Sequence, residues 1–156
     1  QATPLQVAGM FAVPANGGYH VQPHLVKDPG KREWRESMNL KPSTIATIRK
    51  GLREVVDGGT GGAMNTQTIP KAAGKSGTAE APPGADHVWF GSYAPADKPE
   101  IVVVAFGEHT GGGGGKTAAP MVLKVMEAYF NGVKPLPIKV DQDGSKSAPN
   151  KIPSRR

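Results

Sequence analysis

Ala72-Ala73-Gly74-Lys75-Ser76-Gly77-Thr78-Ala79-Glu80-Ala81, then His87-Val88-Trp89-Phe90-Gly91-Ser92-Tyr93-Ala94, then Ile101-Val102-Val103-Val104-Ala105-Phe106: these three runs decide the fold of the chain. The first is rich in small residues and extended in pattern, and Pro82-Pro83-Gly84 turns it. In the second, Val88, Phe90 and Ser92 alternate with Trp89, Gly91 and Tyr93, the period-two signature of a strand. Pro95-Ala96-Asp97-Lys98-Pro99 is a tight-turn signal, and the unbroken apolar run Ile101 to Phe106 predicts a central strand covered on both faces. Two short connections in succession require antiparallel pairing, because parallel strands need a long crossover. The expectation is a three-strand meander.

Helices surround it. Ala2 to Ala15 carries apolar residues at Leu5, Ala8, Met10, Ala12 and Val13, with Thr3-Pro4 suited to a helix start and Asn16-Gly17-Gly18 to its stop. Tyr19 to Val26 is extended, with Pro23 arguing for an edge or interrupted strand, and charged Lys27 to Lys41 reads as a loop. Lys41-Pro42-Ser43 opens the clearest helix, in which Ile45, Ile48, Leu52, Val55 and Val56 keep a 3.6-residue period until Asp57-Gly58-Gly59. Thr60 to Pro70 is polar and glycine-rich, a loop. The run Gly111 to Gly115 reads as a flexible connection into a last helix, Thr117 to Phe130, with Val122, Val125, Met126 and Tyr129 as its apolar stripe. The fold class is α+β: an antiparallel sheet flanked by helices.

Composition narrows the partners. Apolar residues make up 37% of the 156, and 21 Gly and 15 Pro concentrate in the glycine run, the turns and the tail, which leaves an ordered body. The formal charge of +6 is mostly a property of Lys134 to Arg156, where six Lys/Arg face two Asp. Residues 133–156 have no hydrophobic period and are expected to form a disordered basic tail, leaving 1–132 as the domain. Aromatics are only 6%, so a nucleic-acid partner is not expected. The absence of cysteine excludes disulfides and thiolate metal sites, and no apolar run reaches the ~20 residues of a membrane span.

Lys75-Ser76-Gly77-Thr78 is where chemistry is expected. Its ammonium can tune a serine-based relay, and Gly77 keeps the strand low enough for a substrate backbone to approach. Ser76 and Thr78 are two apart, so their hydroxyls share a face and can grip a carboxylate, while the Thr78 N–H can serve an oxyanion hole. Two other patterns carry less. Gly115-Lys116-Thr117 ends a string like a phosphate-binding loop, but the position needing its first glycine is Thr110. His20, His24, His87 and His109 have no ligand spacing, and Trp89-Phe90, Met121 and Met126 read as core. No metal or other cofactor is expected.

Taken together, several landmarks stand in order: Ala2-Thr3-Pro4-Leu5-Gln6, Ala15-Asn16-Gly17-Gly18, Pro23-His24-Leu25, Gly51-Leu52 to Val55-Val56, and Ala73-Gly74-Lys75-Ser76-Gly77-Thr78-Ala79-Glu80. Trp89-Phe90-Gly91, Ala94-Pro95, Pro99-Glu100-Ile101 and the glycine run before Ala118-Ala119-Pro120 complete them. With these, Gln1 to about Phe130 resembles the C-terminal part of a class B penicillin-binding protein transpeptidase of the elongation type. The resemblance implies a partial penicillin-binding-protein/serine β-lactamase-like fold and a peptidoglycan D,D-transpeptidase on the outer face of the cytoplasmic membrane. In such an enzyme a serine attacks a D-Ala-D-Ala stem peptide, and β-lactams acylate the same serine. The resemblance assigns Lys75 to the third motif, Ser76 and Thr78 to the substrate or drug carboxylate, Gly77 to close approach and the Thr78 N–H to the second oxyanion donor.

The same family uses a Ser-x-x-Lys nucleophile motif on a helix and a Ser-x-Asn motif. No serine here has Lys three residues on, and Ser37-Met38-Asn39 falls too close to Lys75 and in a loop. Both motifs, and a membrane anchor, are expected to precede Gln1, which leaves this chain inactive alone. Its partners would be the stem peptide, β-lactams and the N-terminal part of the same enzyme, with self-association through uncovered apolar surface. The alternative is a non-catalytic module that binds peptidoglycan or a cell-wall partner, or one half of a split enzyme.

Overall fold

The computed structural model describes residues 2–25 and 35–132. The tail expected at 133–156 lies outside the described residues. In chain order the elements are α1 (Pro4–Ala15), β1 (Tyr19–Val21), β2 (Arg35–Ser37), α2 (Pro42–Asp57), a 3-10 turn (Gly62–Met64), β3 (Ala73–Ala79), β4 (His87–Ala94), β5 (Ile101–Gly107) and α3 (Gly114–Asn131).

The meander forms as the turn signals dictate. β3 pairs antiparallel with β4, from Ala73 opposite Tyr93 to Ala79 opposite His87. β4 pairs antiparallel with β5, from Val88 opposite Gly107 to Ala94 opposite Ile101. The strand in the middle is therefore β4, and β5 ends the sheet among the described residues. The unbroken apolar run of β5 fits the helices on both its faces, and among the described residues it has a strand on one edge.

α1 covers one face. Phe11 and Ala15 meet Ala73 and Tyr93 there, with Val102 and Val104 of β5 alongside. Gly91 makes this contact possible, because a Cβ at that position would overlap the Phe11 ring. Burial pushes the Tyr93 phenol above its ordinary value, and the Arg49 guanidinium pulls it the other way. α3 covers the opposite face, where Ala118, Ala119, Val122 and Met126 pack on Val88, Phe90 and Val103. α2 lies beside β3 and contributes to both clusters, Leu52 to the first and Val56 to the second.

Local chemistry sets the helix limits. At α1, Gln6 N donates to Thr3 Oγ1 at 3.2 Å and Thr3 N to Gln6 Oε1 at 2.8 Å, a capping box with Pro4 at the first helical position. The last carbonyls of α1 are met from α2: Arg49 donates Nε to Pro14 O and Nη2 to Ala15 O, both at 2.7 Å. Arg53, one turn on, donates to Ala72 O and pairs with Asp57, which ties α2 to the entry of β3.

Four expectations change. The strand after α1 stops at Val21, and Arg35–Ser37 within the expected loop pairs with it as β2. Residues Arg35–Ser37 are all exposed, so no apolar period marks them. The segment Thr60 to Pro70 is not only loop: its 3-10 turn buries Met64, and Ile69 also enters the core. α3 starts at Gly114, inside the glycine run. Its inner face is Ala118, Ala119, Val122 and Met126, whereas Val125 and Tyr129 of the expected stripe, and Met121, are about half exposed (51%, 52% and 50%). Two alanines bring the helix close to the sheet, a signal that weighting by large apolar residues misses.

Magnitudes say what holds α3. Truncating a buried Val122 or Met126 costs about 1–5 kcal/mol, whereas the solvent-screened Lys124–Glu127 pair at the surface contributes little beside it. Glu127 also accepts from Thr68 Oγ1 at 2.7 Å. The Lys124 and Thr68 hydrogen bonds hold its carboxyl below the ordinary 4.5. Its contribution is complete above that value and is lost as pH falls through the lowered one. Acid titration of stability should therefore lose a component below pH 4.5 in Glu127→Gln; an unchanged titration would remove the assignment. The edge of β5 that has no strand partner among the described residues, and the exposed Met121, Val125 and Tyr129, also predict that the isolated chain self-associates. Sedimentation as a monodisperse monomer that unfolds cooperatively would contradict this.

Candidate functional site

β3 carries the candidate residues, and its register sorts them. Directly opposed residues on paired strands share a face. Ser76 opposes Phe90 and Thr78 opposes Val88, so both hydroxyls lie on the α3 side. Lys75 opposes Gly91 and Gly77 opposes Trp89, which places them on the other face. A Cβ at Gly77 would sit 3.3 Å from Trp89 Cβ, so glycine keeps this part of the strand low. The outer edge of β3 has no strand partner among the described residues. On that strand Lys75 Nζ donates to Ser76 O at 2.8 Å. Residues two apart present their backbone groups to the same edge, so the Thr78 N–H lies on the side of the Ser76 carbonyl.

Ser76 and Thr78 line a cavity of about 590 Å³ with Thr60, Ala63, Pro120 and the segment Gly112 to Lys116. Lys75 does not line it. The cavity is open and its charged lining residue is Lys116. The N-terminus of α3 borders it, with Gly113 as a cap that supplies no side-chain hydrogen bond. Backbone N–H groups and the positive end of the helix dipole thus add to Lys116 at this rim. Hydroxyls, an ammonium and a helix N-terminus make a surface suited to an anion.

The rim is built by contact of backbone on backbone. A Cβ at Gly114 would overlap the Trp89 carbonyl and come within 2.6 Å of Gly77 O. A Cβ at Gly115 would overlap the Thr60 carbonyl. These two glycines let the first turn of α3 sit against β3, β4 and the loop after α2. Thr60 then reaches β3 with its side chain, Oγ1 lying 2.6 Å from Ser76 Oγ.

Of the four motif residues singled out in the sequence, Ser76 and Thr78 line the cavity and Lys75 and Gly77 do not; Thr60 and Lys116 were not singled out for this site. The glycine run was expected near it only as a flexible connection; Gly114 and Gly115 belong to a packed helix turn. Its Lys116-Thr117 end does follow a strand and open a helix, yet Thr117 Oγ1 donates to Gly111 O at 3.2 Å within the loop. Ser37 and Asn39 sit at the end of β2 and bond each other, with Asn39 N donating to Ser37 Oγ at 3.2 Å. Neither lines the cavity. The expected core pair Trp89-Phe90 is divided, with Phe90 fully buried and Trp89 half-buried against Phe106. His109 N donates to His87 Nδ1 at 3.0 Å, which fastens the loop after β5 to β4. Among the described residues no three His, Cys, Asp or Glu gather as a metal site.

With this geometry, known proteins can be set beside the chain. A family model for the penicillin binding protein transpeptidase domain matches residues 1–127. The peptidoglycan D,D-transpeptidase MrdA of Haemophilus influenzae is 35% identical over 83% of this chain and 24% of its own length. A crystal structure of Pseudomonas aeruginosa PBP2 in complex with WCK 5153 superposes with a TM-score of 0.69 at 32% identity, covering 95% of this chain and 32% of that one. Penicillin-binding protein A from M. tuberculosis, an imipenem acyl-enzyme complex, gives 0.67 at 27% identity, covering 82% of this chain and 31% of that one. The chain spans about a quarter of the length of the curated relatives it matches.

The packed rim can be tested directly. Gly114→Ala should destabilise by about 1–3 kcal/mol, the usual cost of overpacking. Gly62→Ala, where nothing lies within 4 Å of the added atom, serves as the control. Thermal unfolding of both variants checks this, and equal midpoints would show that the first turn of α3 yields without cost.

Proposed function

Because the chain belongs to the penicillin-binding protein transpeptidase family, we propose that it forms the carboxylate-binding wall of a serine D,D-transpeptidase site whose nucleophile lies in the preceding part of the domain. The observation that carries this is the pairing of the Ser76 and Thr78 hydroxyls on one wall of a cavity rimmed by Lys116 and the N-terminus of α3. An ionised carboxylate only accepts hydrogen bonds, and this wall supplies donors.

The roles follow. Ser76 and Thr78 hold the terminal carboxylate of a D-Ala-D-Ala stem peptide, or the equivalent group of a β-lactam. The Thr78 N–H, on the open edge of β3, faces the oxygen that becomes negative when a serine adds to the scissile carbonyl. That serine forms an ester with the penultimate D-Ala and expels the terminal one. An amine from a second stem peptide then attacks the ester and restores the hydroxyl. Lys75, on the other side of the strand, supplies positive charge beside the serine relay. Gly77 leaves room for the substrate backbone.

No residue here supplies Ser-x-x-Lys, so catalysis needs a nucleophile from outside these 156 residues. The family places such sites outside the cytoplasmic membrane, and we carry this location over to the parent enzyme. Among the described residues no helix is long and apolar enough to cross a membrane.

Labelling with a fluorescent penicillin, followed by denaturing electrophoresis, tests the proposal. The full-length product of the gene should be labelled and the 156-residue chain alone should not. Covalent labelling of the isolated chain would overturn the incomplete site. A full-length product that stays unlabelled would overturn the transpeptidase reading in favour of a non-catalytic binding module.

A further inference from the structure

We propose that Thr60 is a positioning residue for carboxylate recognition, donating its hydroxyl proton to Ser76 so that the Ser76 proton points at the ligand. The proposal rests on the reading above, in which Ser76 binds the substrate carboxylate. Thr60 lies outside the Lys-Ser-Gly-Thr motif and reaches it from the loop that follows α2.

The two oxygens are 2.6 Å apart, at the short end for hydroxyl pairs, and either can donate. A hydroxyl has one proton and two lone pairs. With no ligand, the Ser76 proton can point at Thr60 or into the cavity. With a carboxylate in place Ser76 must donate to it, and its bond to Thr60 survives only with Thr60 as donor. A Ser76 oxygen that accepts one hydrogen bond becomes a better donor in the other. Thr60 thus fixes the direction of the chain Thr60 → Ser76 → carboxylate.

Thr60 is held for this task from three sides. Gly61 N donates to Val55 O at 2.9 Å, which fastens the loop to the end of α2. A Cβ at Gly61 would stand 3.1 Å from the Phe90 ring, so the loop is pressed onto the sheet. The Thr60 carbonyl packs against Gly115 at the start of α3. The side chain therefore stands on a rigid support, as a positioning group requires.

The test compares acylation by a penicillin with acylation by its methyl ester, which lacks the charge, in the full-length gene product. In Thr60→Val the ratio of the two second-order rate constants should fall about tenfold toward the ester. Thr60→Ser, which keeps the hydroxyl, should hold the wild-type ratio. In a Ser76→Ala background, Thr60→Val should change the ratio no further. Loss of folded enzyme lowers both rates together, so a ratio taken within one variant does not register it. The proposal is overturned if Thr60→Val keeps the wild-type ratio, if both rates fall equally, or if its effect adds in full to that of Ser76→Ala. A wild-type product that penicillin does not acylate overturns the transpeptidase reading itself, a result separate from these.

Discussion

The contact of Gly114 with the backbone of Gly77 and Trp89 is the constraint on which the site depends. A side chain at Gly114 would lift the first turn of α3 off the sheet. The buried Val122 and Met126 anchor the helix further along, but they do not fix the height of its first turn. That height decides whether the N-terminal amides and Lys116 stand beside Ser76 and Thr78 or away from them. Backbone-to-backbone contact sets it more sharply than apolar packing can, because a carbonyl has no rotamer with which to yield.

The position of β3 is set separately, by arginines. Arg49 joins α2 to the carbonyl end of α1, and Arg53 joins it to Ala72 just before β3 begins. Arg49 is directed wholly at carbonyl groups and Arg53 divides itself between the Ala72 carbonyl and the Asp57 carboxylate, contacts that fix orientation. α2 thereby registers the layer on one face of the sheet against the strand that carries the motif. Its C-terminal end then delivers Thr60 to the side of β3 opposite α1. One helix locates both the strand and the loop beside it.

The meander and the helices around it were legible because their signals are local. The turn prolines, the alternation in β4 and the period of α2 each fall within about a dozen residues. β2 was not legible, since its three residues are exposed and polar and are a strand only through pairing with Tyr19–Val21. That β5 has a strand on one edge among the described residues was not legible for a related reason: apolar content reports covered faces, not paired edges. That Ser76 and Thr78 share a face was readable from strand periodicity. Thr60 and Gly114 were not, because each acts through a contact with residues 16 and 37 positions away along the chain. The glycine run looked loose in sequence because glycine serves equally for freedom and for close approach.

The pleat of β3 divides the motif. Lys75 and Gly77 project to one side of the sheet, Ser76 and Thr78 to the other, and only the latter pair line the cavity. A ligand lying above either face could touch one pair but not both. The faces meet along the outer edge of β3, which no strand occupies among the described residues. On the proposed function a stem peptide must therefore lie along that edge as an added strand. Its carboxylate turns toward Ser76 and Thr78 while its reacting carbonyl stays in the plane of the Thr78 N–H. Lys75 stays on the face away from that cavity, its ammonium on the Ser76 carbonyl. On that reading a single alternating strand would hold the carboxylate on one face and the ammonium of Lys75 on the other.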